Sequence, residues 1–253
     1  VITHRNIVSN IFNALSAQAR SFLRRGEMPP APDPAAPQKA GLLSVPFFHA
    51  TGCFAVMVPA MLSGNKLVLQ RRWDVEQELG LIEREKISSA GGVPTIAWQI
   101  VEHPRFEEFD LSSLETVSYG GAPSAPDLVR RIKQRFPKSQ PGQGWGMTET
   151  SATAVSNYGE DYIRKPASCG LPAPTGEVRI VSPDGKDLSV GEVGELWYRG
   201  PTVVRGYWQK PKETAETFTD GWVKTGDLAR VDDEGFVYIV DRAKDMLIRG
   251  GEN

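Results

Sequence analysis

The sequence contains little cysteine, no excess of either charge sign and no long hydrophobic run. No apolar stretch reaches the ~20 residues that a membrane-spanning helix needs. Its two cysteines, Cys53 and Cys169, are too few for a disulfide scaffold or a four-thiolate zinc site, although they leave one bridge possible. The 29 Lys and Arg residues against 31 Asp and Glu residues give a net charge of −2, which excludes a globally basic surface for nucleic acid.

The chain does contain enough apolar material for a core. With 253 residues, of which 40% are hydrophobic and 24% charged, it predicts one large folded domain or two small ones. The low cysteine content fits a reducing, cytoplasmic environment. The chain starts at Val1 without an initiator methionine or a signal pattern, so we expect it to be part of a longer protein.

Helical and strand-like segments alternate up to about residue 168. The first predicted helix, residues 3–25, has Thr3 as its N-cap and carries on one apolar face Ile7, Ile11, Leu15 and Phe22. Further helices are predicted over residues 74–86, from Pro94 onward and over 126–136. Strands are predicted over 41–49, 66–69, 88–92 and 114–119, and the first two are short enough for buried strands. This alternation predicts an α/β unit over residues 1–168, with a largely parallel sheet flanked by helices.

The pattern changes after residue 168. Short strands are predicted over residues 177–181, 194–199, 222–224 and 236–240, with turn sequences between them and no helix longer than about three turns. We therefore expect a small antiparallel β-barrel or sandwich over residues 169–240.

Four glycine-containing segments follow or interrupt predicted strands, at residues 46–52, 91–95, 118–123 and 144–150. In an open parallel sheet, ligands bind beyond the carboxyl ends of the strands, and glycine lets a ligand approach the backbone closely. The alternative is that these glycines only form turns.

The segment 144–150 carries the most chemistry. Trp145 offers a flat face on which a base can stack, and Thr148 can donate a hydroxyl hydrogen bond to a phosphate. Glu149 can bind a hard cation such as Mg²⁺ together with phosphate oxygens. The alternative is that Trp145 belongs to the core and that Glu149 is a solvated cap.

Other candidates are weaker. Asp227, after a predicted strand, can accept hydrogen bonds from a ribose diol or serve only in a turn, and residues 241–245 form a charged run typical of a linker. His4, His49 and His103 show no spacing typical of a zinc site. Ser118 lacks the G-x-S-x-G pattern of a hydrolase nucleophile.

Taken in order, seven segments of the chain resemble the acyl-adenylate-forming superfamily, which includes acyl-CoA synthetases, coumarate-type ligases, luciferases and peptide-synthetase adenylation domains. The resemblance runs over the whole chain. The segments are Thr3-His4-Arg5-Asn6, Phe48-His49-x-x-Gly52, Gly120-Gly121-Ala122-Pro123, Gly146-Met147-Thr148-Glu149, Gly194-Glu195-Leu196 with Arg199-Gly200-Pro201 and Gly206-Tyr207-Trp208, Thr225-Gly226-Asp227 and Asp241-Arg242-x-Lys244-Asp245.

This resemblance implies an AMP-forming ligase with Mg²⁺ as cofactor and ATP, a carboxylic acid and CoA as substrates. The catalytic residues would be Thr148, Glu149 (also the Mg²⁺ ligand) and His49. The ATP- or AMP-binding positions would be Gly120, Gly121, Ala122, Pro123, Trp145, Gly146, Met147, Thr148, Asp227 and Arg242. The acyl-binding positions would be Phe48, His49, Val93, Gly121, Met147 and Ala152. Lys244 would be the hinge, and residues 241–253 would lead to a further C-terminal domain.

The chain departs from the family pattern in two ways. Trp145 stands where the family often has tyrosine, so stacking is kept and the phenol hydroxyl is lost. The family's phosphate-binding loop would lie before Val1 and its catalytic lysine after Asn253. We therefore expect this chain to be inactive by itself.

The implied substrate is a simple carboxylic acid, because the pocket-facing candidates Phe48, Val93, Gly121, Met147 and Ala152 are apolar or small and none offers a second charge. No Asp occurs between Ala50 and Asn65, where an amino-acid-activating domain would place one. A medium- or long-chain fatty acid is favoured over an aryl acid, and a fatty acyl-AMP ligase remains an alternative. A non-catalytic nucleotide-binding module is the alternative from another class. An oligomer is compatible with the sequence.

Overall fold

The computed structural model describes residues 1–31, 33–122 and 124–242, which form two sheets with helices around the first. The first sheet consists of β1 (Ala40–Leu43), β2 (Lys66–Leu69), β3 (Ser89–Gly92), β4 (Thr116–Gly120), β5 (Gln140–Met147), β6 (Ala152–Tyr158) and β7 (Leu171–Pro172). The second consists of β8 (Glu177–Val181), β9 (Gly194–Arg199), β10 (Phe218–Thr219), β11 (Trp222–Val231) and β12 (Val237–Arg242). The helices are α1 (His4–Leu23), α2 (Val58–Leu62), α3 (Val75–Glu85), α4 (Pro94–Val101), α5 (Asp127–Arg135), α6 (Gly159–Arg164) and α7 (Pro211–Thr217).

The first sheet has the order β2-β1-β3-β4-β5-β6-β7, and its first five strands are parallel. Strands and helices alternate along this part of the chain, which is the connection that parallel strands require. Its main core packs the apolar faces of α3, α4 and α5 against β1, β3 and β4. The predicted α/β class is confirmed.

Two details of the predicted strands are wrong. The strand expected over 41–49 ends at Leu43, because Pro46 has no N–H to donate and the following residues form a turn, closed by a hydrogen bond from the His49 N–H to the Pro46 carbonyl. The segment 66–69 is an edge strand rather than a buried one, since it pairs only with β1 among the described strands.

The end of the first sheet was not predicted. β5 runs directly through the glycine-rich segment, and β6 returns antiparallel to it after a short 3₁₀ turn, Thr148–Thr150. Gly146 permits this return, because a Cβ at that position would lie 1.8 Å from the Ala152 carbonyl oxygen. The sheet therefore closes with two antiparallel strands beside the candidate site.

The second sheet is antiparallel, as predicted, and is curled around the long strand β11. β11 pairs with β9 over one part of its length and with β12 over another, and both ladders contain a register shift near Leu228. The predicted strands 177–181 and 194–199 are confirmed at both ends, whereas 222–224 is the start of a longer strand.

Helix α1 buries a face that differs from the predicted one. Thr3 caps it as expected, but Leu15 is 46% exposed, and the buried positions are Asn6, Asn10, Asn13 and Ser21 beside Ile11. Two of these side chains make hydrogen bonds to other elements: Asn10 donates to the Thr153 carbonyl, and the Asn13 Oδ1 accepts from the Thr175 hydroxyl. The helix is held by polar contacts as much as by apolar burial.

The two cysteines do not form the bridge that the sequence left possible. Both are free, and Cys169 lies fully inside the cluster that joins the two sheets. Burial raises the pKa of its thiol to about 12, so it stays protonated and unreactive at neutral pH. None of the described helices combines the length and the apolar character needed to cross a membrane.

Candidate functional site

The carboxyl ends of the central parallel strands meet at one edge of the first sheet. The register pairs Gly92 with Tyr119, and Gly120 with Gly144. Directly beyond β4, Gly121 has a φ of +76°, and apart from its two chain neighbours no atom of the described residues lies within 4 Å of where its Cβ would be. The backbone of Gly121 and Ala122 is therefore open to a flat ligand, whereas Pro123 lies outside the described residues.

Trp145 and Asp227 join this edge to the second sheet. The indole Nε1–H of Trp145 donates a hydrogen bond of 2.8 Å to Oδ2 of Asp227. Trp145 is half-buried and also packs against the apolar clusters of the second sheet, so the prediction that it faces a ligand and the alternative of a core role are both compatible with its position.

The backbone around Asp227 is fixed by its neighbours. Gly226 adopts a φ of +72°, and the N–H of Asp227 donates to the Thr225 hydroxyl. Asp227 is buried, with 6% of its surface exposed. The register of β11 and β12 pairs Asp227 with Arg242, so these two predicted nucleotide-binding positions are neighbours in the sheet.

The 3₁₀ turn after β5 presents the predicted phosphate and metal residues. Thr150 stabilises the turn, because its hydroxyl accepts from the Met147 N–H and donates to the Ala152 carbonyl. Thr148 is exposed and Glu149 half-buried at the apex. This turn places a hydroxyl and a carboxylate side by side at the same edge as Gly121.

Glu149 has a partner that sequence reasoning missed. The hydroxyl of Tyr207 donates a 2.6 Å hydrogen bond to Oε1 of Glu149, and the N–H of Val204 donates to the Glu149 carbonyl at 2.9 Å. Burial and this hydrogen bond raise the pKa of Tyr207 to about 12, so the hydroxyl remains a donor at neutral pH. The sequence signal for this residue is Gly206-Tyr207-Trp208, which is part of the family resemblance but implies no role for Tyr207.

The donor set fits Mg²⁺ better than a metal that needs an all-protein cage. Within residues 1–31, 33–122 and 124–242, no three or more His, Cys, Asp or Glu side chains are grouped so as to hold a metal. Mg²⁺ commonly binds one or two carboxylates together with phosphate oxygens and water. Glu149, with one oxygen held by Tyr207 and a hydroxyl beside it, supplies such a carboxylate.

The predicted acyl-binding residues are more dispersed. Met147 and Ala152 are register partners in β5 and β6, and Val93 packs against the main core. His49 lies in the turn after β1, where its Nδ1 accepts from the Thr51 N–H and its carbonyl accepts from the Cys53 N–H at the start of the following helical segment. Phe48 is 82% exposed. The structure therefore groups Met147 with Ala152 and leaves Phe48 exposed, and Lys244 lies outside the described residues.

Comparison with known proteins gives a consistent result. Residues 1–208 match the AMP-binding enzyme family. A feruloyl-CoA synthase from an Amycolatopsis species is 37% identical over 253 residues, which are 100% of this chain and 48% of that protein. A medium/long-chain-fatty-acid–CoA ligase from Mycobacterium tuberculosis is 38% identical over 219 residues, covering 84% of this chain and 37% of that protein.

The fold has solved counterparts. The o-succinylbenzoate coenzyme A synthetase of Bacillus subtilis, in complex with ATP and magnesium ion, superposes with a TM-score of 0.78 at 29% identity. That superposition covers 100% of this chain and 48% of the synthetase chain. The chain thus spans about half the length, or less, of the relatives it matches.

Proposed function

Because the chain belongs to the AMP-binding enzyme family, we propose that it is the central part of an AMP-forming ligase that joins a carboxylic acid to CoA. The observation that carries this proposal is the Trp145–Asp227 hydrogen bond beside the open backbone of Gly121. It brings an aromatic face, a carboxylate acceptor and bare backbone together at the edge of a parallel sheet, where nucleotides bind in such folds. The relatives named as CoA ligases and the solved complex with ATP support it.

In this proposal the adenosine lies between Trp145 and the backbone from Gly120 to Pro123. Asp227 accepts from the ribose hydroxyls, and Arg242 lies beside it. Burial of the Asp227 carboxylate favours this role, because charge-assisted hydrogen bonds are strongest where water is excluded. The neighbouring Gly146 and Met147 complete the wall of the site.

The reaction would take place in two steps. A carboxylate oxygen of the acid attacks the α-phosphorus of ATP, which forms acyl-AMP and releases pyrophosphate. The thiol of CoA then attacks the acyl carbonyl, a thioester forms, and AMP leaves. An anion must approach a polyanion in the first step, so developing charge has to be neutralised.

Mg²⁺ would neutralise part of the negative charge on the phosphates, with Glu149 as its protein ligand. The hydroxyl of Thr148 would donate to a phosphate oxygen, and His49 would border the acyl carboxylate. The triphosphate clamp and the catalytic lysine implied by the family resemblance would come from other parts of the protein. We therefore propose that this chain is inactive by itself, with Lys244 as the hinge to a further domain.

The acyl group is proposed to be a medium- or long-chain fatty acid. The apolar or small character of Val93, Gly121, Met147 and Ala152 supports a substrate without a second charge. The fatty-acid–CoA ligase relative agrees with this. An aryl acid is the second candidate, because the feruloyl-CoA synthase matches the whole chain. A cytoplasmic location is proposed as well, supported by the two free cysteines.

ATP–pyrophosphate exchange by the full-length protein tests the proposal. The acids would be octanoate, palmitate, ferulate and, as a negative control, an amino acid. Exchange with octanoate or palmitate supports the fatty-acid proposal, and exchange with ferulate alone supports the aryl alternative. Glu149→Gln should lower the exchange rate at least ~100-fold, whereas the exposed Glu216→Gln should not. No exchange with any acid would leave the non-catalytic binding module as the better explanation.

A further inference from the structure

The loop between β9 and α7 follows a strand of the second sheet, yet it contacts the 3₁₀ turn Thr148–Thr150 at the edge of the first sheet. Two hydrogen bonds join the loop to Glu149: the Tyr207 hydroxyl donates to the side chain, and the Val204 N–H donates to the backbone carbonyl. Both the backbone and the side chain of Glu149 are thus held by a segment more than 50 residues away in sequence. Tyr207 and Glu149 are 58 residues apart.

Tyr207 is itself held firmly. Its N–H donates to the Thr214 hydroxyl at 3.0 Å, and its ring packs at a tilt against Phe218, with centroids 5.7 Å apart. The preceding Gly206 allows this approach, since a Cβ there would lie 2.4 Å from the Thr214 side chain. The backbone and the ring of Tyr207 are therefore both held in place, and this fixes the position of its hydroxyl.

The loop is anchored on its other side as well. The Asn6 amide donates to the carbonyls of Pro201 and Val203 at 2.7 and 2.9 Å. The Ser151 hydroxyl, immediately after the Glu149 turn, donates to the Thr202 carbonyl at 2.8 Å. Helix α1, the loop and the turn thus form one connected unit with Glu149 at its centre.

We propose that Tyr207 is a positioning residue that orders the Glu149 carboxylate for Mg²⁺. The proposal rests on the function proposed above, in which Glu149 is the metal ligand. Tyr207 engages Oε1, and within the described part of the chain no protein group donates to Oε2. A free glutamate samples many rotamers, and ordering it costs affinity. Holding one oxygen in place removes that cost and leaves the other oxygen for the metal.

A purely structural tie between the two sheets is the competing explanation. It predicts that loss of the hydroxyl lowers thermal stability and leaves metal binding unchanged. The positioning role predicts the reverse, because the Tyr207 ring and its backbone anchors remain when the hydroxyl alone is removed.

The test compares Tyr207→Phe with Tyr238→Phe in the full-length protein. Tyr238 is a matched control, since its hydroxyl also donates to a carboxylate, Asp232, at 3.0 Å, away from Glu149. The first readout is Mn²⁺ affinity at saturating ATP, followed by electron paramagnetic resonance. The second is the Mg²⁺ dependence of ATP–pyrophosphate exchange, and the third is the melting temperature.

We expect Tyr207→Phe to weaken Mn²⁺ binding and raise the Mg²⁺ concentration for half-maximal exchange by roughly tenfold each. Tyr238→Phe should change neither, and both variants should melt within a few degrees of the wild type. If Tyr207→Phe binds Mn²⁺ like the wild type, the positioning role is wrong, while exchange by the wild type still upholds the proposed function. If Glu149→Gln also leaves wild-type Mn²⁺ binding unchanged, the metal assignment fails together with this inference.

Discussion

Trp145 and Asp227 come from different sheets, 82 residues apart in sequence, and share a hydrogen bond. A tryptophan in place of the family's common tyrosine loses the phenol hydroxyl, but the structure gives the indole N–H an equivalent use as a donor to Asp227. The carboxylate is thereby oriented before any ligand arrives. At the scale of single residues, the departure from the family pattern is compatible with nucleotide binding.

Asp227→Ala should weaken AMP binding by about tenfold or more, because each charge-assisted bond to a ribose hydroxyl is worth about 1.5–3 kcal/mol. The measurement is calorimetric titration with AMP and with 2′,3′-dideoxy-AMP. The wild type should bind the dideoxy compound as weakly as the variant binds AMP. Since Asp227 also accepts the Trp145 N–H, a loss of about 1 kcal/mol in stability is expected. Equal binding of the two nucleotides by the wild type would contradict the ribose role.

Glu78 is a fully buried carboxyl in α3 that the proposed function does not use. Ser44 donates a hydrogen bond of 3.5 Å to Oε2, and no group of the described residues donates to the buried Oε1. Burial raises the pKa of Glu78 to about 8 from its ordinary value of 4.5. The folded protein therefore keeps a proton that the unfolded chain releases between these two values, and stability falls as pH rises through that window.

Glu78→Gln should accordingly be more stable than the wild type at pH 8, by roughly 2 kcal/mol or more, and of similar stability at pH 4.5. Urea unfolding across this pH range measures the difference. The exposed Glu216→Gln serves as the control and should follow the wild type at every pH. A wild-type stability that rises from pH 5 to 8 relative to Glu78→Gln would contradict the assignment.

Among the secondary-structure elements, helix α1 is attached to its neighbours by hydrogen bonds from asparagine side chains. Asn6 and Asn10 donate to backbone carbonyls of other elements, and these bonds are specific in distance and direction in a way that apolar packing is not. These bonds give a physical reason for the asparagine in the segment Thr3-His4-Arg5-Asn6. It connects the start of α1 to the loop that contacts Glu149.

Asn6→Ala should lower the free energy of unfolding by about 1–3 kcal/mol, because two carbonyls lose their amide donor in a site that is 5% exposed. Chemical denaturation gives the value. Asn65→Ala, in a half-exposed turn, should change stability by less than about 0.5 kcal/mol and serves as the control. Equal effects of the two substitutions would show that the Asn6 bonds contribute little.

At the scale of the whole molecule, the two sheets share a core. Val155 of β6 packs with Ile180, Leu196 and Ala229 of the second sheet, and Cys169 lies in the same cluster. Ion pairs of Lys165 with the turn between β11 and β12 add a second link. Because apolar burial between the sheets would be lost if one unfolded alone, they should unfold together.

Leu196→Ala should cost about 2–5 kcal/mol, the usual cost of a large-to-small change in a core. Hydrogen exchange should show the same loss of protection in β6 of the first sheet as in β9 of the second. Val190→Ala, at a position 65% exposed, is the control and should alter neither. A loss confined to β9 would mean that the sheets are separate cooperative units.

Local sequence signals were sufficient to predict the class of each sheet and most of the elements. Helix caps, apolar spacing and turn residues are local signals, and they located α3, α5, β8 and β9 closely. The candidate residues Trp145, Glu149 and Asp227 were also available from the sequence, because motif order along the chain does not depend on packing.

The tertiary structure alone decided which of these residues meet. The antiparallel return of β6, the polar buried face of α1 and the burial of Glu78 depend on neighbours far along the chain, which no local pattern encodes. The bonds of Tyr207 to Glu149 and of Trp145 to Asp227 span 58 and 82 residues. Hydrogen bonds require atoms within about 3 Å, and that proximity arises only when the second sheet folds against the edge of the first.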